Sequence, residues 1–179
     1  MSLERNDKEQ LKGEDKSVKI EALDPIFLFT WKGTRDVDEN SYHCHDHLEL
    51  AFVLSGAGRY HIEGQIYEVK EGDLLILNPG VHHQALLNEN SGVPTTEFFV
   101  GFSDIQFEGY PYNFLPVPDG GHILHTTGEL KQKITKLCAS MEMENTVCRE
   151  GRYFMLKAYL MQMILLVVRE QCEIGRAHV

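Results

Sequence analysis

Between Ile26 and Phe102 apolar and polar positions alternate with a period of two in short runs, separated by turn-forming residues. The runs are Ile26 to Trp31, Tyr42 to Leu54, Arg59 to Ile62, Gln65 to Val69, Leu74 to Leu77 and Glu97 to Phe102, with turn signals at Glu63-Gly64 and Gly72-Asp73. No helical spacing interrupts them, so the pattern predicts a single antiparallel barrel of short strands. Ser103 to Gly121 follows as a long loop that carries Phe107, Tyr110, Tyr112 and Phe114 among Pro111, Pro116 and Pro118. It is expected either to cover the barrel mouth or, more simply, to pack on the barrel exterior.

The period then changes to that of helices. Thr126-x-x-Glu129 has the form of a capping box, and Leu130, Ile134, Leu137, Cys138 and Met141 recur at helical spacing, which predicts a first helix to about Glu144. A second helix opens near Gly151 and carries two apolar stripes: Tyr153, Leu156, Leu160, Met163 and Val167, and Phe154, Met161, Leu165 and Val168. A helix apolar on two sides needs two partners. One stripe is expected on the barrel or first helix, and the Tyr153 to Val167 seam is assigned to a second subunit; the alternative is that one chain satisfies both. The expected organisation is an N-terminal arm over 1–25, the barrel with its aromatic loop over 26–121, and a helical hairpin within 122–173.

Composition narrows the function classes. The chain is 42% hydrophobic and 25% charged, as in an ordinary soluble domain, and its 17 Lys and Arg against 27 Asp and Glu give a net charge of -10. That sign disfavours a surface that grips phosphate backbones, so this segment is not expected to hold DNA itself. Met1 to Asp24 is too densely charged for a signal peptide, and the uncharged stretch from Ala158 to Val168 is well short of the roughly 20 residues that cross a bilayer, so a cytoplasmic protein without a membrane span is expected. Cys44, Cys138, Cys148 and Cys172 form no C-x-x-C pair and are read as reduced thiols.

The candidate chemistry lies in His43-x-His45-x-x-x-Glu49 and in His83. On an extended strand His43, His45, His47 and Glu49 share one face while Leu48, Leu50, Phe52 and Leu54 share the other. Two imidazoles and a carboxylate from one strand, with His83 from a neighbour, suit a divalent zinc, iron or manganese ion, and His47 and His82 are expected outside that set. Without a metal, the same groups hydrogen-bond one another or line a polar pocket. Either face of Glu97 to Phe102 is compatible with the interior. If Glu97 and Phe99 look inward, an acid beside an aromatic ring is a seat for a polyol or sugar; otherwise Phe98 and Phe102 fill the core. The ligand-contacting set is therefore His43, His45, His47, Glu49, His83, Glu97 and Phe99.

The histidine block, Gly56, Gly72-Asp73-Leu74-Leu75-Ile76-Leu77, Pro79-Gly80 and His83 resemble the metal-binding framework of cupin barrels. With Val53-Leu54-Ser55-Gly56, Gly151-Arg152-Tyr153 and the order of a barrel before two helices, the chain from about Phe29 to Cys172 resembles the N-terminal regulatory half of AraC-type transcription regulators. Asn78 stands where many relatives have proline. The resemblance implies a double-stranded β-helix (jelly-roll) barrel that binds a small effector, often a sugar, a helix pair that forms a homodimer, an arm that closes over the ligand, and DNA binding by C-terminal helix-turn-helix motifs.

Only seven residues follow Cys172, too few for such motifs, so the DNA-binding region is expected to be missing. Ile174-Gly175-Arg176-Ala177-His178-Val179 is what the codons ATC GGA AGA GCA CAC GTC encode, which looks like a common sequencing adapter, and these residues are expected to be non-native. The leading expectation is an effector-sensing and dimerisation domain rather than an enzyme. The competing one is a small metal-dependent cupin isomerase or dioxygenase with His43, His45, Glu49 and His83 as ligands.

Overall fold

The computed structural model describes residues 18–20, 22–87, 93–117 and 121–177, with side chains to residue 173. Most of the expected arm and the last two residues of the expected non-native tail lie outside them; the backbone of 174–177 continues the last helix. The strands are β1 (Ile26–Arg35), β2 (Leu48–Ser55), β3 (Ala57–Ile62), β4 (Gln65–Lys70), β5 (Asp73–Leu77), β6 (His83–Leu87), β7 (Thr95–Ser103) and β8 (Ile123–His125), followed by α1 (Gly128–Val147) and α2 (Arg152–Ala177). A five-stranded sheet in the order β1-β7-β2-β5-β8 faces a three-stranded sheet in the order β4-β3-β6, and all pairings are antiparallel. This is the cupin-type barrel followed by a helical hairpin.

The central strands β7, β2 and β5 of the larger sheet are buried on both faces, and alternation divides their side chains between two cores. Ala51, Val53, Leu75, Leu77 and Phe99 point between the sheets, where Tyr60, Ile62, Val69 and Ala85 meet them. Leu48, Leu50, Phe52, Leu74, Ile76, Phe98, Val100 and Phe102 point the other way, onto the helices. Every residue of β5 is buried for this reason, and a short apolar run without alternation is the corresponding sequence signal. The β3–β4 hairpin closes through Glu63 (φ 47) and Gly64 (φ 83), the two positive φ angles of a type I′ turn, as the Glu63-Gly64 signal predicts.

Three expectations require correction. Strand β8 falls inside the region assigned to the hairpin: Ile123–His125 pairs with Asp73–Leu75 at the edge of the larger sheet. The Thr126 capping box does not form. Thr127 is the N-cap and makes no side-chain capping bond, while the Thr126 hydroxyl donates to the Gly72 carbonyl at 2.6 Å and ties the helix entry to the β4–β5 turn.

The third correction concerns the seam on α2. Leu156, Leu160, Met163 and Val167, assigned to a second subunit, are buried inside this chain with Ile134, Leu137 and Met141 of α1 and the outer face of the sheet. Only Tyr153 of that stripe is exposed. Of the other stripe, Phe154 is 74% exposed, Met161 and Leu165 are half-buried, and Val168 is buried. The helix turns the Leu156, Leu160, Met163 and Val167 stripe to the first helix and the barrel.

Candidate functional site at the barrel mouth

Register across the larger sheet builds the site in rows. Phe29 lies opposite Gly101, which lies opposite Glu49; Trp31 opposite Phe99 and then Ala51; Gly33 opposite Glu97 and then Val53. Phe29, Trp31, Gly33 and Arg35 are two apart on β1. Gly101 leaves room for Phe29, whose ring lies only 2.2 Å from where a Cβ on Gly101 would stand. The Trp31 ring leans on Phe99 with centroids 5.3 Å apart. Phe29, Trp31, Arg35, Glu39, His43, Glu49 and Phe99 surround a cavity of about 320 Å³.

Glu97 and Phe99 both take the inward option. Glu97 is 1% exposed and accepts hydrogen bonds from Tyr60 Oη at 2.6 Å and from Arg35 Nη2 at 3.3 Å and Nε at 3.4 Å. Burial raises its carboxyl above the ordinary range, and the Tyr60 bond and the Arg35 charge oppose that rise. Burial likewise raises the Tyr60 hydroxyl well above its ordinary value, with the Glu97 charge adding to it. Glu39 is held at the rim, where its carboxylate accepts the Ala85 N–H at 2.9 Å.

The histidines depart from the expected single strand. His43 forms an isolated bridge with His83 through two backbone hydrogen bonds of 2.8 and 3.0 Å, the chain bends at residues 46 and 47, and β2 begins only at Leu48. Ring nitrogens of His43, His45 and His83 come within 4.8 Å of one another, and so do donor atoms of His45, His47 and Glu49. The four expected ligands thus reach one end of the barrel, but Glu49 is grouped with His45 and His47 and not with His43 and His83. His47, expected outside the set, is inside a group. His82 stays outside, with Nδ1 3.8 Å from Glu63.

The donor chemistry fits a divalent metal. Nδ1 of His43, His45 and His83 lies 3.1, 2.9 and 2.9 Å from the carbonyls of Ser41, His47 and Val81. A carbonyl only accepts, so each Nδ1 carries the hydrogen and each Nε2 keeps a lone pair, the arrangement that orients metal-bound imidazoles. Burial depresses His45 and His47, and takes His83 down to about 4, so all three are neutral near pH 7. Burial, reinforced by the Glu39 and Glu97 charges, pushes Glu49 up to about 7. His45 and His47 approach Glu49 at 3.7 and 3.9 Å, yet these shifts run toward the neutral forms on both sides, so neither contact is an ion pair.

Residues 33–161 match the model of the AraC-like ligand binding domain. The chain belongs to the AraC-like ligand binding domain family. Solved structures similar to this AraC-like domain include a cupin protein from Bacteroides fragilis, 23% identical over 46% of this chain and 69% of that one, with a TM-score of 0.38. An RmlC-like cupin from Shewanella frigidimarina is 20% identical over 43% of this chain and 67% of its own, with a TM-score of 0.37. An oxalate decarboxylase from Bacillus subtilis is 23% identical over 40% of this chain and 20% of its own, with a TM-score of 0.35. No functionally curated protein matches the sequence.

Phe29, Trp31, Arg35, Glu39 and Tyr60 were not among the expected site residues. The available signal was the alternation Phe29-x-Trp31-x-Gly33-x-Arg35, which continues the first strand beyond Trp31. Among the described residues no helix is long and apolar enough to cross a membrane.

Proposed function

We propose that this chain is the effector-sensing and dimerisation domain of an AraC-type transcription regulator. A small molecule occupies the barrel mouth, and DNA is contacted by a helix-turn-helix region beyond this chain. The observation that carries this reading is the division of β7: Glu97 and Phe99 face the cavity side, while Phe98, Val100 and Phe102 of the same strand pack on the helices. A ligand that shifts this strand at the mouth loads the helix interface directly, which is the coupling a sensor requires. A net charge of -10 supports leaving DNA contact to another region.

A sugar is the effector class favoured by the walls: Trp31 and Phe99 offer ring faces to C–H groups, while Glu39, Glu49 and Arg35 offer hydrogen bonds. Trp31 is the single tryptophan of the chain, so its emission reports on this cavity alone. Titration with a panel of pentoses and hexoses is expected to shift that emission for at least one member. Glu97→Gln, which weakens the charged anchor of Arg35, is expected to lower that sugar's affinity by about tenfold. Unchanged emission across the panel at millimolar concentration would remove sugars as the effector class.

A second reading is favoured by the three oriented imidazoles. Here His43, His45, His83 and Glu49 hold a divalent zinc, iron or manganese ion, which when bound would polarise a substrate oxygen and make the domain a small cupin enzyme. A metal that only anchors an effector is compatible with the sensing role.

A further inference from the structure

We propose that the effector of the barrel mouth is an amino sugar, and that the Glu39 carboxylate, beside the rings of Phe29, Trp31 and Phe99, seats its ammonium group. The inference rests on the reading of this cavity as a sugar sensor and narrows the class of sugar.

Charge is the first support. The lining carries one permanent cation, Arg35, and two acids, Glu39 and Glu49. Arg35 is already engaged: its side chain is only 14% exposed and its guanidinium pairs with the buried Glu97 at 3.3 Å. Glu49 belongs to the candidate metal ligands, so Glu39 is the remaining anion of the wall. Its carboxylate is in no ion pair among the described residues and accepts one hydrogen bond there, from the Ala85 N–H to Oε2 at 2.9 Å. A ligand that fills the mouth strips water from this half-buried group, and a neutral ligand leaves the charge without a counterion.

The rings are the second support. A Cβ on Gly33 would stand 2.2 Å from the Trp31 ring, and one on Gly101 would stand 2.2 Å from the Phe29 ring, so both rings occupy space that the glycines leave open. Trp31 nevertheless stays 54% exposed and keeps ring surface for a ligand. Aromatic faces cover the C–H groups of a sugar, and their quadrupoles attract a cation within about 6 Å. The carboxylate and the π-faces both act on a positive charge, which distinguishes an amino sugar from its hydroxyl parent. A cavity of about 320 Å³ is at the small end for ligand pockets and suits one sugar ring rather than a chain of them.

Glu39 is also held in place before any ligand arrives. The segment that carries it lies along the edge of β6. The Glu39 N–H donates to the Ala85 carbonyl at 2.9 Å, the Glu39 carbonyl accepts from Gln84 Nε2 at 2.8 Å, and the Asp38 carboxylate accepts the Leu87 N–H at 2.7 Å. With the backbone fixed and Oε2 anchored, little ordering of the acid remains to oppose binding.

The test titrates glucosamine, galactosamine and mannosamine against glucose, galactose and mannose by calorimetry and Trp31 emission. Buffer with chelator at about pH 6 keeps metal away and the amines protonated. At least one amine is expected to bind about tenfold tighter than its parent sugar. That advantage is expected to fall to about twofold in Glu39→Gln, which keeps an acceptor for the Ala85 N–H. If the variant fails to fold by circular dichroism, salt decides: raising it from about 0.05 to about 0.5 M should erode the wild-type advantage and leave the parent sugars unmoved. Parent sugars that bind as tightly as their amines, or an advantage that survives in a folded Glu39→Gln variant, would overturn the proposal and leave the sugar reading standing. No response to any of the six would overturn both.

Discussion

Leu160→Glu is expected to unfold the domain, while Phe154→Glu is expected to leave it folded and to disrupt the proposed dimer. Leu160 is fully buried between α1, α2 and the outer face of the larger sheet. Leucine-to-alanine changes at such sites cost about 2–5 kcal/mol, and a carboxylate there adds the cost of burying a charge without a partner. Domain stabilities of about 5–15 kcal/mol leave little to withstand that. Phe154 is 74% exposed, so its replacement should change the stability of the single chain by only about 0.5 kcal/mol. With the half-buried Met161 and Leu165 it forms the face proposed for a second copy. Sedimentation and thermal melts of both variants decide the matter. A folded, monomeric Leu160→Glu variant would show that the seam serves the dimer after all.

In chelator-treated protein, Glu49→Gln is expected to stabilise the fold by about 3 kcal/mol near pH 8 and to be neutral near pH 4, a difference read from urea midpoints. The Glu49 carboxyl moves from an ordinary 4.5 to about 7 in the folded chain, and each unit corresponds to about 1.4 kcal/mol. Between those values the folded state holds a proton that the unfolded chain has released, so stability falls as pH rises through the window and stays reduced above it. Glutamine mimics the protonated carboxyl and removes the penalty. His83 acts in the opposite sense. Its fall from 6.5 to about 4 means that the unfolded chain takes up a proton first on acidification, so stability is lost as pH drops through that range. The wild-type chain should therefore be most stable between the two effects, near pH 5–6, whereas the variant should rise to about pH 6.5 and then level off. Equal midpoints for the two proteins near pH 8 would mean that Glu49 is better solvated than its surroundings imply.

Six of the eight strands were legible because alternation and turn residues agree, and the helices because their period is long enough to repeat; β6 was given no run of its own. Strand β8 was not legible: three residues cannot establish a period, and its edge position depends on where β5 lies. The stripes on α2 were visible but not their partners, since a seam facing a barrel and a seam facing another subunit share one spacing and one composition. A straight strand puts His47 on the same face as His43, His45 and Glu49, and the cupin-like spacing, not the strand, left it outside the expected metal set. The His43–His83 bridge and the bend after it instead bring His47 beside His45, and that depends on a contact forty residues distant in sequence. Arg35 and Tyr60 were hidden for a related reason, because each gains its role only by meeting Glu97.

The division of β7 between two cores also governs how such a domain can diverge. Positions 97, 99 and 101 face the cavity side, and substitutions there can change what is recognised without touching the packing onto the helices. Insertion or deletion of a single residue acts differently: it would turn Phe98 and Phe102 into the cavity and drive Glu97 into the apolar layer beneath the helices. New specificities within this lineage should therefore arise by exchange of side chains along a strand of fixed length, with gains and losses of residues confined to the connecting loops.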